Sequence, residues 1–294
     1  MTPLKKILAA TDLSAPASVA AERAALVAKQ NASSLSLFHV ANLTPLERLR
    51  EMIGETPVDM EHRVLDVAKQ KLLDFSAELQ QRYGIPVGVQ VRSGNLLKEL
   101  ALEIGASQTD LLVCGAIGES IVRHYTFGTT ASRILSTAHS PVLVVRQPAT
   151  QPYQRLLIPV DFSPGSQRAI QTALSVAPGA DIVLFHAFDV PFEGQLRYAC
   201  VEEDIVNHYR IIARQEALQK LQELRNATGL SPDNSRLVIT HGDPTTHIIE
   251  KVREYDRDLI VICKHGNNLV EDLLLGSVTK QILAESRVDV LVSV

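Results

Sequence analysis

The chain has 294 residues, 46% of them hydrophobic, with a formal net charge of −4 at pH 7. That length suits two domains of ordinary size, each able to bury its own core. The mild acidity and dispersed basic residues argue against a nucleic-acid partner, and no apolar run reaches the roughly 20 residues of a membrane helix.

The opening MTPLKKILAATD lacks the apolar core and cleavage site of a secretion signal, so it is read as part of the fold. Cys114, Cys200 and Cys263 are an odd number without metal-ligand spacing, which favours a reducing cytoplasm. The first expected strand covers 5–10, and Asp12 stands at its carboxyl end. This residue reads in two ways, as a ligand contact at a strand end or as the N-cap of the helix expected over 16–29. A strand over 34–40 carries His39 and Val40. Stretch 44–84 holds a loop and a long charged helix near 59–84, read as an amphipathic cover on a sheet or as a flap for a protein partner. A strand over 87–92 leads into the turn Ser93-Gly94-Asn95, with Asn95 capping a helix over 95–106. The strand 109–114 runs into GAIGESIVRHYTFGTT at 115–130, followed by a helix over 128–138 and a strand over 142–146. RQPATQPY at 146–153 has two prolines and no apolar periodicity, the mark of a linker.

The second half restates the first. KKILAATDLSAPA at 5–17 matches QRLLIPVDFSPGS at 154–166, LSLFHV at 35–40 matches IVLFHA at 182–187, and TDLLVC at 109–114 matches RDLIVI at 257–262. SPVLVV at 140–145 matches VDVLVS at 288–293. Near-constant offsets of 147 to 149 mean two copies of one domain, far too long a period for a solenoid. We place the domains at 1–147 and 152–294, with a long helix near 200–227 in the second. Nearly continuous apolar strands alternating with helices are those of parallel sheets covered on both faces. The expected fold class is therefore α/β: two doubly wound, open, parallel five-stranded sheets of Rossmann-like type. The strands at 142–146 and 289–293 are expected to pair the repeats into an intramolecular pseudo-dimer, which would remove two exposed strand edges.

The glycine-rich loop carries the chemistry. Gly115, Gly118 and Gly128 let backbone N–H groups approach a phosphate without a Cβ in the way. Thr129 and Thr130 add hydroxyls in the first helical turn. Ligands of such sheets bind where strand order reverses, so Asp12 would take the base or ribose edge and the loop the phosphates.

Gly115, two residues, Gly118, nine residues, Gly128 and Thr129, set between a strand and a helix with Asp12-x-Ser14 at strand one, resemble the nucleotide motif of the universal stress proteins. The resemblance spans the whole chain, as a tandem of two such domains. It implies ATP as the ligand, with or without Mg²⁺, in a stress-response or signalling module. It also implies contacts from Ala10, Thr11 and Asp12 of strand one, Val40 of strand two through its backbone, Cys114 before the first glycine, and Thr130. Arg123 in the loop would add a cation favourable to a triphosphate. Family members dimerise through the last strand; whole-chain dimers and an unidentified protein partner remain open.

The second half departs from this motif. Its loop reads CKHGNNLVEDLLLGSV: Gly266, Gly276 and Ser277 are kept, but Cys263 replaces the first glycine and is expected to crowd the phosphate approach. Glu271 and Asp272 stand for Arg123 and His124, and Ala187 for Val40. Asp161 and Lys264 weigh the other way. The first domain is thus expected to hold nucleotide and the second to be empty or weaker. His186, His241 and His265 fall at strand ends near Asp161, but His39 matches His186 in a half with no such cluster, so they read as structural and no metal site is assigned. No nucleophile elbow is present, and the loop is not a Walker loop because no Lys-Ser or Lys-Thr pair follows its last glycine. No catalytic residue is assigned. A binding protein is favoured, with a slow ATPase or phosphotransferase and a nucleotide-independent scaffold as alternatives.

Overall fold

The computed structural model describes residues 3–43, 59–117, 128–148, 150–190, 193–199, 201–266 and 275–294. The chain divides into two compact units, Met1–Pro152 with Ser175–Ala177, and Tyr153–Leu174 with Pro178–Val294.

The first unit runs β1 (Lys6–Ala10), α1 (Ala15–Asn31), β2 (Ser34–Ala41), α2 (Asp59–Tyr83), β3 (Val87–Ser93), α3 (Leu96–Ser107), β4 (Leu111–Gly115), α4 (Thr129–Thr137) and β5 (Val142–Val145). Its strands lie in the order β3-β2-β1-β4-β5 and pair in parallel, with Ile7 beside both Leu35 and Leu111. Both faces are covered, which is why β4 can be apolar at successive positions: Leu111, Leu112 and Val113 are fully buried. Helix α1 presents Ala20, Ala24 and Ala28 along one line, all fully buried. At a spacing of four these share a face, and their small side chains let the helix approach closely.

The second unit repeats the plan with β6 (Arg155–Pro159), α5 (Pro164–Val176), β7 (Asp181–Phe188), α6 (Glu193–Tyr198), α7 (Glu203–Ala227), β8 (Ser235–His241), α8 (Pro244–Glu254), β9 (Leu259–Cys263), α9 (Ser277–Glu285) and β10 (Asp289–Ser293). Its parallel order is β10-β9-β6-β7-β8. The long helix expected from residue 200 starts at Glu203, after the separate short helix α6.

The same local devices hold both units. Asp110, just before β4, accepts the backbone N–H groups of Lys5 and Lys6 at 2.8 and 2.9 Å. Asp258, just before β9, does the same for Gln154 and Arg155 at 3.0 and 3.1 Å. Each carboxylate thereby fixes where strand one meets strand four. Asn95 and Asp243 cap α3 and α8 as their turns predict, Asn95 accepting from Leu97 and Lys98, and Asp243 from Thr246. The cap of α1 is Ser14, not Asp12: its side chain accepts from the Ala17 N–H. Asp12 sits two residues earlier, because Leu13 adopts a left-handed φ of 66° that turns the chain before the helix starts. Phe162, at the same place in the second unit, has φ 62°. No helix among the described residues is long and apolar enough to cross a membrane.

Candidate functional site

In the first unit strand order reverses between β1 and β4. The crevice outside the carboxyl ends of strands at such a reversal is the usual ligand position of a doubly wound sheet. A cavity of about 320 Å³ occupies it, lined by Ala10, Thr11, Asp12, Val40, Cys114, Gly115, Gly128, Thr129 and Thr130. All of these were expected from sequence. Gly118 and Arg123 lie outside the described residues, as do His124, Glu271 and Asp272. The cavity is also lined by Ala17, Leu96, Ala116, Ile117, Ala131 and Ile134, which no motif singled out.

The strand-one edge is held from several sides. The Thr11 N–H donates to Phe38 O at 2.9 Å, carrying the β1–β2 ladder one residue further. The Thr11 hydroxyl accepts from the Leu13 N–H at 3.0 Å. Asp12 Oδ1 accepts from the Ser14 backbone at 3.1 Å and from the Ser14 hydroxyl. His39 Nδ1 lies 2.8 Å from Thr11 O. A carbonyl can only accept, so Nδ1 carries the proton. His186 makes the same 2.8 Å bond to Val160 O, and burial lowers its pKa below the ordinary histidine value. The strand-two histidines are thus structural in both units, as the repeat predicted.

The other end of the cavity is made of backbone. The Gly128 N–H donates to Ala116 O at 3.0 Å, and a Cβ on Gly128 would come within 3.0 Å of that same oxygen, so only glycine fits without a shift. No side chain among the described residues caps α4. Its first-turn N–H groups have no intrahelical acceptor and carry the positive end of the helix dipole, beside the hydroxyls of Thr129 and Thr130. Cys114 forms part of the floor. Burial pushes its thiol up to about 12, so it offers a contact surface and not a nucleophile.

The second unit builds the same frame around different side chains. Lys264 N–H donates to Ser293 O, and Gly276 N–H to Lys264 O, where Ala116 and Gly128 make the corresponding bonds in the first unit. Three alanines of the first cavity have larger polar counterparts. Ala17 becomes Ser166, Ala116 becomes Lys264 and Ala131 becomes Thr279, buried to 0%, 5% and 3% exposure. The Ser166 hydroxyl donates to Asp161 Oδ1 at 2.7 Å, joining the Ser163 hydroxyl at 2.6 Å. Thr279 Oγ1 donates to Cys263 O at 2.9 Å.

The expected crowding at Cys263 takes another form. A Cβ on Gly115 would point at Ile117 O and Pro16 O, at 3.3 and 3.5 Å. In the second unit Gly165 stands where Pro16 does, and a Cβ there would lie 3.1 Å from the Cβ of Cys263. The cysteine is accommodated against the helix start by a compensating glycine. Its thiol is pushed up to about 11, first by burial and then by the Asp161 carboxylate.

Sheet order, connection pattern and the cleft at the reversal define a doubly wound α/β protein of tandem type. The model of the universal stress protein family matches residues 3–146 and again 152–293, and the chain belongs to that family. A universal stress protein of Mycolicibacterium smegmatis is 25% identical over 301 residues, covering 97% of this chain and 96% of its own. One from Methanocaldococcus jannaschii is 26% identical over 144 residues, covering 49% of this chain and 83% of its own. Among solved structures, a universal stress protein from Archaeoglobus fulgidus superposes with a TM-score of 0.69 at 21% identity, covering 99% of this chain and 96% of that one. That likeness is one of fold.

Proposed function

We propose that the first unit binds ATP and that the protein works as a nucleotide-responsive stress or signalling module in the cytoplasm. The observation that carries this reading is the cavity at the β1/β4 reversal. Its volume of about 320 Å³ falls in the range of small-molecule sites, and its two ends differ in the way a nucleotide requires. Asp12 faces a ribose or base edge as a hydrogen-bond acceptor. Ala10, Thr11 and Val40 offer backbone and apolar contact to adenine. Gly115, Gly128, Thr129 and Thr130 present N–H groups and hydroxyls to phosphates, with Gly118 and Arg123 belonging to the same loop and Mg²⁺ as an optional companion. The working domains are 1–147 and 152–294, and only the first holds nucleotide with useful affinity.

Calorimetric titration of the full chain with ATP tests this. About one nucleotide per chain is expected, each intact loop being one anion site. Replacing the cavity alanines with the side chains of the second unit, Ala116→Lys with Ala131→Thr, should abolish binding while the circular dichroism spectrum stays unchanged. Unaltered affinity in that variant refutes the site. Release of phosphate from labelled ATP would convert the reading to a slow ATPase or phosphotransferase, and absence of binding would leave a scaffold.

A further inference from the structure

The end of β7, the start of α6 and the end of β8 bring together three side chains that the nucleotide cleft does not use. Phe188 and His241 are register partners in the β7–β8 ladder. Asp189 follows β7 directly, and Glu193 opens α6. One donor atom from each of Asp189, Glu193 and His241 lies within 4.8 Å of the others. His241 Nε2 is 2.8 Å from Glu193 Oε2 and 3.7 Å from Asp189 Oδ1.

An imidazolium–carboxylate pair explains the first distance alone, but not the approach of Asp189 as a third donor. His241 Nε2 is shielded from solvent and lies 2.8 Å from Glu193 Oε2. All three donor atoms lie close enough together for one ion to reach them. Donors on a tetrahedral ion with bonds of about 2.1 Å stand about 3.4 Å apart, so the observed spacings need only a small adjustment.

The surroundings hold the donors in place. Arg210 of α7 pairs with Glu193 through the other carboxylate oxygen, Oε1, which leaves Oε2 turned to the histidine. The guanidinium also keeps this carboxyl below the ordinary glutamate value. The ring of Phe188 lies 5.3 Å from the imidazole of His241. His247 Nε2 is 3.1 Å from His241 O, where it can only donate, and so it anchors the backbone. Such outer partners are what orient metal ligands. Asp189, with 84% of its side chain exposed, keeps one side open for entry.

We infer that Asp189, Glu193 and His241 form a binding site for a divalent transition-metal ion of the zinc class. One imidazole and two carboxylates match the charge and donor preference of such an ion better than those of Mg²⁺ or Ca²⁺, which favour oxygen alone. A fourth position is left for water or another ligand. The first unit has Asn42 and Ser93 at the places of Asp189 and His241, so the site belongs to the second unit alone.

The test uses the full chain, stripped by chelator and free of nucleotide, titrated with Zn²⁺ against a chromophoric competitor. One ion per chain is expected, insensitive to excess Mg²⁺, with Co²⁺ giving the visible bands of low-symmetry coordination. Asp189→Asn combined with His241→Ser installs what the first unit carries and should weaken Zn²⁺ binding at least about tenfold. The exposed Asp189→Asn change alone, which leaves the packing untouched, should weaken it in the same direction. No saturable binding, or an affinity unchanged in both variants, overturns the assignment.

Discussion

The two units share a backbone frame and differ in what they put inside it. In the first, Ala17, Ala116 and Ala131 line an open cleft; in the second, Ser166, Lys264 and Thr279 take those places and are buried. A glycine, Gly128 or Gly276, stands at the N-cap of the helix after the loop in both. On the proposed reading, the shared backbone frame is not enough for a nucleotide. That reading also asks for small side chains beside the ligand, where the second unit carries hydrogen-bonding ones. Ser166 engages the strand-one aspartate and Thr279 the last carbonyl of β9.

The sharpest way to break this comparison is to exchange the fillings. Ala116→Lys with Ala131→Thr should lower ATP affinity at least about 100-fold, equivalent to roughly 2.7 kcal/mol. Calorimetry reads it, and a loss under threefold would mean that the alanines do not matter. A smaller effect is expected from the reverse direction. Thr279→Val keeps the shape but removes the donor to Cys263 O inside the core, which should cost about 1–3 kcal/mol in urea denaturation. A cost near zero would show that the hydroxyl is not a structural replacement for open space.

The smallest effect separates two caps. Asn95→Ala and Asp243→Ala should each cost about 1 kcal/mol at neutral pH. Only the second is pH-dependent. The Thr246 backbone N–H holds the Asp243 carboxyl below its ordinary value. Its contribution is thus complete above the unfolded carboxylate pKa of about 3.9 and is lost as pH falls through the lower folded value. The stability gap between wild type and Asp243→Ala should shrink below about pH 4, while the gap for Asn95→Ala stays constant. Parallel behaviour of the two would show that the Asp243 cap does not titrate.

The repeat made most of the fold legible. Strand and helix positions follow from runs such as DLLVC and PVLVV, and two offset copies confirm each other. The cleft was legible where chemistry is written in glycines, an aspartate and hydroxyls. It was not legible in the alanines, because a small apolar residue in a helix reads as core until three-dimensional placement shows that it borders empty space. The aligned halves did carry the signal, as Ala116 opposite Lys264. The cap at Ser14 was missed because one left-handed residue, Leu13, shifts the helix start. The Asp189, Glu193 and His241 cluster was missed for a different reason. His241 was weighed with the other strand-end histidines and Asp161, whereas its neighbours come from the chain just past β7, where no spacing rule applies.

The pairing of β1 with β4 has a consequence during synthesis. Ile7 finds Leu111 on one edge, a partner made more than a hundred positions later. A ribosome adding roughly 5–20 residues per second leaves that edge of β1 waiting for about 5–20 seconds, with only β2 available beside it. The Asp110 carboxylate that clasps Lys5 and Lys6 arrives one residue ahead of β4. It is therefore placed to guide the emerging strand into register as soon as it appears.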